Sequence, residues 1–320
     1  GNFSLDALTS GDHNVAIGYG AGTDLTEGGT NVLVGYNAGA NVTTASASIF
    51  VGFDAGSAVT TNTENIGIGY RSGYALTGTK NTMIGYKSGL NGTSHDENVI
   101  IGYEACGLGV LTGNENVVIG MGAGKDMTSA TASVFVGDNS GANVTTGARN
   151  IGIGKNTLED PDTENDNLAI GYNALSGTIA GGEDNIAIGN GALASLTSAD
   201  GTIAVGFEAG NAVTTDGGGS IFIGKFAGHD ITTGHSNMMI GEFAGDGFDT
   251  EAHNMGIGRG AFGGAVAGGE YNVAIGNFSL DALTSGINNT AVGYNAGTSV
   301  STHSDGVFIG WQAGDNAITG

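Results

Sequence analysis

The chain has 320 residues, of which 63 are glycine, 1 is proline and 12% are charged, and its formal net charge is −23. This charge repels nucleic-acid phosphates and anionic lipid surfaces, which argues against nucleic acid or a membrane surface as a partner. A hydrophobic content of 39% is too high for a solvated linker, so the chain folds, and it needs glycine at many fixed positions.

Two further classes of structure are excluded by simple counts. Cys106 is the single cysteine, so there is no intrachain disulfide framework. No apolar run reaches the roughly 18 residues of a membrane span, and no charged and then apolar leader opens the chain. We therefore expect no membrane insertion in this segment.

One short repeat, with a period close to 17, fills the chain. Ile-Gly or Val-Gly pairs place their glycines at 18, 35, 52, 69, 85, 102, 120, 137, 154, 171, 189, 206, 224, 241, 258, 276, 293 and 310. We call this glycine position 0 and number the other residues of each coil from it. The opening "GNFSLDALTSG" (1–11) returns unchanged at 276–286 and is one such coil written twice. The pattern predicts one continuous array over 1–320, a segment of a longer fibre.

Each coil repeats the same residue types. Position −4 is usually Asn, positions −3 and −1 are Ile or Val in most coils, +1 is often aromatic, +3 is Ala or Ser, and +4 is Gly or Leu. β-Branched residues two apart, between frequent glycines, indicate short strands and not a helix. One period is long enough to hold two or three such strands and make one coil of a solenoid. The sequence therefore predicts an all-β fold, a parallel β-roll of about 18 coils.

Position −2 is apolar or Gly in every coil and carries the largest side chains. If −3 and −1 fill the interior, −2 faces outward, and a strand that is apolar on both faces is buried on both. The sequence thus predicts a homo-oligomer that packs along the −2 stripe through Phe50, Phe135, Phe222 and Phe308, which recur every fifth coil. One explanation of this spacing is packing, in which small neighbours such as Gly67 and Gly152 make room for the rings. Duplication of a five-coil block is an equally compatible explanation.

Segments such as "NVAIGYGAG", "NIGIGYRSG" and "NTAVGYNAG" resemble the head repeats of trimeric autotransporter adhesins and similar repeats of phage tail fibres. The resemblance covers essentially the whole chain through a five-residue core motif. It implies a left-handed parallel β-roll and association of three chains along a fibre. The coils are longer here than the adhesin unit, and the coiled-coil stalk and membrane anchor of those proteins are missing from the sequence.

Candidate chemistry is sparse. The Gly-x-Gly spellings lack a Walker lysine and a following helix, so they indicate corners and not phosphate loops. The six histidines fall at scattered positions, and no catalytic constellation recurs, so we expect neither an enzyme nor a cofactor or metal site. In the acidic run from Asp160 to Asp166, carboxylates alternate as calcium ligands do. The run lacks the central Gly and the terminal Glu of an EF-hand loop. We expect it to be a solvated corner.

The sequence predicts the structural or adhesive shaft of an extracellular fibre, at a cell surface or on a virion. The alternative is a receptor-binding or glycan-binding segment of a phage tail fibre or surface adhesin, in which the aromatic column at +1 contacts the ligand. Thr at +8 in many coils raises a third option, an ice-binding array, but its partner Thr is irregular.

Overall fold

The computed structural model describes residues 1–94, 96–160, 162–215, 218–264 and 267–315. It contains 18 strands of three residues each, and each strand occupies positions −3 to −1 of its coil. The chain divides into two compact units, unit 1 from Gly1 to Thr163 and unit 2 from Glu164 to Gly320. The prediction of an all-β parallel solenoid, with one strand position recurring at a period close to 17, is confirmed.

The nine strands of unit 1 are β1 (Val15–Ile17), β2 (Val32–Val34), β3 (Ile49–Val51), β4 (Ile66–Ile68), β5 (Thr82–Ile84), β6 (Val99–Ile101), β7 (Val117–Ile119), β8 (Val134–Val136) and β9 (Ile151–Ile153). Those of unit 2 are β10 (Leu168–Ile170), β11 (Ile186–Ile188), β12 (Ile203–Val205), β13 (Ile221–Ile223), β14 (Met238–Ile240), β15 (Met255–Ile257), β16 (Val273–Ile275), β17 (Thr290–Val292) and β18 (Val307–Ile309). Within each unit, every strand pairs in parallel with that of the next coil, and equal positions lie opposite each other. The register therefore keeps each repeat position in its own column.

Among the described residues, each coil has one strand, where the sequence predicted two or three. The cause is the backbone at positions −5, +2 and +4, which is left-handed in every described coil, as in Thr30 (φ 59°), Asn37 (φ 52°) and Cys106 (φ 45°). An extended strand cannot continue through such residues. Coils still hydrogen-bond to each other outside the strands, for example from Gly39 N to Ala55 O (2.8 Å).

The glycine at position 0 is required by close approach of the coils. At Gly35 the backbone has φ 141°, and a Cβ atom would lie 2.3 Å from the carbonyl oxygen of Gly52 in the next coil. Only glycine adopts this conformation and tolerates this distance. The recurrence that defined the repeat thus reflects backbone-to-backbone packing between coils.

The Asn residues at −4 form a buried ladder. The side-chain oxygen of Asn98 accepts from the backbone N of Asn116 (2.9 Å) and from its Nδ2 (3.0 Å), and Asn116 Nδ2 also donates to Ala130 O (2.8 Å). The structural explanation of this column is therefore confirmed. Each amide satisfies backbone groups that would otherwise be buried without partners.

The direction predicted for the strand side chains is wrong. Position −2 points into the coil: Phe50, Phe135 and Phe222 have 0% of their surface exposed within this single chain, and Phe308, in the last coil, is partly exposed. Positions −3 and −1 point outward. The assignment failed because both faces of the strand are apolar, so alternation alone does not say which face is inside.

The predicted packing of large rings against glycine is present, but inside the solenoid. A Cβ atom on Gly56 or on Gly67 would lie 2.4 or 2.9 Å from the ring of Phe50, and one on Gly141 would lie 2.5 Å from the ring of Phe135. Where −2 is small, +4 is often large: Ala169 and Leu175 are both fully buried, as are Ala187 and Leu193. Positions −2 and +4 therefore share one volume in the core.

Candidate self-association face

The outward columns −3 and −1 form an apolar sheet face on each unit. Every residue in them is Ile, Val, Leu or Met except Thr82 and Thr290. All are partly or well exposed: Ile68 has 36% of its surface exposed, Ile153 has 40%, and Ile223, in unit 2, has 39%. These exposed apolar columns contain no charged residue over nine strands. They form a larger continuous apolar patch than an ordinary soluble surface, on which apolar residues are scattered singly.

A column of aromatic rings accompanies this face in unit 1. The rings of Tyr19, Tyr36, Phe53, Tyr70, Tyr86 and Tyr103, all at +1, stack with centroids 4.9 to 5.3 Å apart and planes within 12° of parallel. They are between 38% and 52% exposed. Because the ring faces cover one another, the stack leaves mainly ring edges for solvent. Stacking between coils is the simpler of the two explanations that the sequence offers for this column, and the rings of these six coils do stack.

The equivalent column of unit 2 is mixed. Lys225, at +1, places its Nζ 5.0 Å from the centroid of the Phe226 ring. Phe226 and Phe243, both at +2, stack with centroids 5.2 Å apart. Arg259 and Glu242 form an exposed ion pair (3.4 Å) in the +1 column. Pairs of this kind fix neighbouring side chains but add little stability.

The acidic run that suggested calcium binding has separate hydrogen-bond partners. Asn143 donates to Asp160 (2.6 Å), Thr145 donates to Asp162, and the buried carboxylate of Glu164 accepts from Gly181 N (2.9 Å). Glu164 stands at −7, where most coils have Gly or Ala, and it caps a backbone N–H of the next coil. These contacts give the carboxylates structural roles.

Histidine 229 has closer contacts than the sequence suggested. Its Nδ1 lies 2.7 Å from Asp230 Oδ1 and its Nε2 lies 3.4 Å from Glu208 Oε2. Among the described residues, the ligand atoms of His229, Asp230 and Asp246 form one group of metal-ligand type, within 4.8 Å of one another. Burial, followed by the charge of Asp230, raises the pKa of Asp246 above its usual value. Sequence reasoning missed this group because its members belong to different coils; His95 lies outside the described residues.

Two other candidates have structural explanations. Burial raises the pKa of the Cys106 thiol to about 12, so the thiol is protonated at neutral pH and is no nucleophile. The Thr hydroxyls at +8 donate to carbonyl oxygens of the next coil, as from Thr26 to Thr43 (3.1 Å) and from Thr197 to Thr214 (2.8 Å). Hydroxyls engaged along the coil axis do not form a free ice-binding array.

The chain matches no protein-family model, and no curated protein matches it. Within the described part of the chain, no helix has the length and apolar character needed to cross a membrane. The choice of the outward apolar face as the candidate functional surface therefore depends on its geometry alone.

Proposed function

We propose that this chain is the structural and adhesive shaft of an extracellular fibre and that its copies associate as a homotrimer through the columns −3 and −1. The observation that carries the proposal is the uncharged apolar face on each unit. The proposed interface is thus apolar, as the sequence predicted, but it lies on the opposite face of the strands from the −2 stripe.

Charge supports contact through this face. Copies that each carry a formal charge of −23 repel one another wherever acidic side chains meet. The columns −3 and −1 contain no charged residue, so contact there places no like charges side by side. Each partly exposed Ile or Val that becomes covered contributes on the order of 1 kcal/mol, and a unit presents nine coils of them in register.

The resemblance to trimeric autotransporter adhesin heads and phage tail-fibre repeats supports the choice of three chains, of a left-handed roll and of an extracellular location. In those families, parallel β-rolls associate side by side along a fibre. Here the core of each unit is already filled by its own −2, +3 and +4 side chains, so the apolar outward face is available for a second and a third copy.

The proposal is tested by adding one charge on the face and one away from it. Ile68→Glu places a carboxylate in the −1 column, and Thr61→Glu places the same charge on an exposed residue of the same coil. We expect Ile68→Glu to dissociate the oligomer into folded monomers, because a buried unpaired charge is costly at an interface. Thr61→Glu should keep the mass of the wild type. For both variants, light scattering after size exclusion measures the mass of the assembly and circular dichroism measures the β structure.

Phe50→Asp distinguishes the two faces. Because Phe50 is fully buried inside the coil, this variant should lose its β structure and not merely dissociate. If Ile68→Glu retained the oligomer, or if Phe50→Asp gave folded monomers, the assignment of the association face would be wrong.

A further inference from the structure

In unit 2, one small polar residue separates two aromatic residues of the mixed column at +1. Tyr172 and Phe207 occupy +1 in two coils, and the coil between them has Asn190 at +1 and Gly191 at +2. Asn190 Oδ1 accepts from Tyr172 N (2.9 Å), so its side chain lies back against the chain. A ring that is present in six consecutive coils of unit 1 is therefore missing at this level.

A surface cavity of about 310 Å³ lies where the ring is missing. Its lining includes Tyr172, Asn190, Gly191, Phe207, Glu208 and Asn211. Gly191 keeps the cavity open, since a Cβ atom there would lie 3.0 Å from Glu208 Cγ and 3.3 Å from Asn211 Nδ2. The volume lies at the small end of the range for ligand pockets, which suits one ring-sized group.

The spacing of the coils sets the width of this cavity. Strands in a sheet lie about 4.8 Å apart, so the +1 positions of Tyr172 and Phe207, two coils apart, are separated by roughly twice that distance. A ring placed midway would lie about 5 Å from each neighbour. That distance matches the 5.2 Å between the stacked rings of Tyr19 and Tyr36.

We propose that this cavity, which we call the Asn190 slot, binds one neutral hexopyranose unit of a glycan. The C–H faces of the sugar pack against Tyr172 and Phe207, and its hydroxyls hydrogen-bond to the carboxylate of Glu208 and the amide of Asn211. Two half-exposed rings, amide groups and one carboxylate at the same opening supply the apolar surface and the directional groups that a polyhydroxylated ring requires.

The charge and the polar groups of the slot disfavour other ring-shaped ligands. Glu208 at the cavity and the formal charge of −23 repel uronic acids and nucleotides. A purely aromatic ligand would cover the carboxylate of Glu208 and the amide of Asn211 without hydrogen-bonding to them, and removing polar groups from water in this way is costly. The slot lies on +1, +2 and +5, outside the columns −3 and −1, so this proposal does not depend on self-association.

The test uses saturation-transfer difference NMR on the full chain, with the methyl pyranosides of glucose, galactose and mannose, methyl glucuronide and phenol as probes. We expect transfer to the ring C–H protons of at least one neutral pyranoside and little to the glucuronide. Asn190→Tyr fills the slot with the residue that unit 1 has at this position, and it should weaken the signal about tenfold or more while the melting temperature stays close to that of the wild type.

Asn277→Tyr is the matched control. Asn277 also stands at +1 in unit 2, and its Oδ1 accepts from Arg259 N (3.0 Å) as that of Asn190 does from Tyr172. This variant should retain the sugar signal. If Asn190→Tyr fails to fold, Tyr172→Ala, at a residue 51% exposed, takes its place with the same expected loss. The proposal is overturned if no neutral pyranoside gives transfer, if only phenol or the glucuronide does, or if the slot variant binds as well as the control.

Discussion

Phe135 and Gly141 share one layer of the core of unit 1. The ring is fully buried, and Gly141 has φ 63° with room for hydrogen alone on its Cα. In unit 2, Ala169 and Leu175 fill the equivalent positions, and Leu175 adopts φ 49° although a left-handed conformation costs a residue with a side chain about 1–2 kcal/mol. In these two coils the residues at −2 and +4 thus exchange size and together fill the core.

This complementarity predicts strong coupling between the two positions. Phe135→Ala should reduce the free energy of unfolding by about 3–5 kcal/mol through the cavity it creates, and Gly141→Leu should destabilise the protein because its side chain meets the Phe135 ring. The double variant, which copies Ala169 and Leu175, should recover part of both losses. Urea denaturation of the four proteins gives the coupling free energy, which we expect to exceed about 1 kcal/mol. Strictly additive effects would show that the positions do not share one volume.

The same pair explains what sequence reasoning could reach at this scale. The sequence showed the residue types at each repeat position, including Gly or Leu at +4. It also predicted that a small residue lies next to each large ring. The inward direction of Phe135 was missed because Val134 and Val136 on either side are equally apolar. The signal that could have decided it is the exchange of size between −2 and +4, since only residues on the same side of the backbone compensate each other's volume.

At the scale of the coil, one short strand and a ladder of amides hold consecutive turns together. Asn116 Oδ1 accepts from Ser133 N (3.0 Å), and where Ser replaces Asn, Ser133 Oγ accepts from Asn150 N (3.2 Å). Both residue types thus satisfy the backbone N–H that starts the next strand. The Ser133 hydroxyl donates to Thr131 O within its own coil (3.1 Å), whereas Asn116 Nδ2 donates to Ala130 O in the next coil (2.8 Å).

Asn116→Ala should therefore destabilise the protein more than Asn116→Ser. Alanine leaves the buried N–H of Ser133 without an acceptor, at a cost of about 1–3 kcal/mol, while serine keeps the acceptor. Equilibrium unfolding gives the two free energies, and hydrogen exchange of the Ser133 amide locates the effect. Equal losses in the two variants would contradict the role assigned to the side-chain oxygen.

The sequence located the strands correctly because β-branched residues stand on both sides of position −2 in most coils. It did not show that the other described residues of each coil form no further strand. Left-handed backbone at +2 occurs under residues as different as Asn37, Arg71 and Phe226 (φ 52°, 51° and 57°). Because side-chain type does not mark that conformation here, composition could not reveal it.

At the scale of the molecule, each unit has a closed core, an acidic surface and one uncharged apolar face. This charge distribution favours the proposed contact between copies along the columns −3 and −1, since acidic side chains repel elsewhere. The sequence predicted an apolar stripe and an oligomer, and the stripe exists on the face opposite to the one predicted. The group at His229 and the Asn190 slot were beyond prediction from sequence, since each brings together residues of different coils.

Sedimentation equilibrium of the chain at neutral pH tests the central claim most directly. Self-association through the outward face predicts a homotrimer of about 94.5 kDa, three times the chain mass of 31.5 kDa. A folded species of 31.5 kDa at every concentration would show that the apolar face does not bind further copies of the chain and would contradict the account.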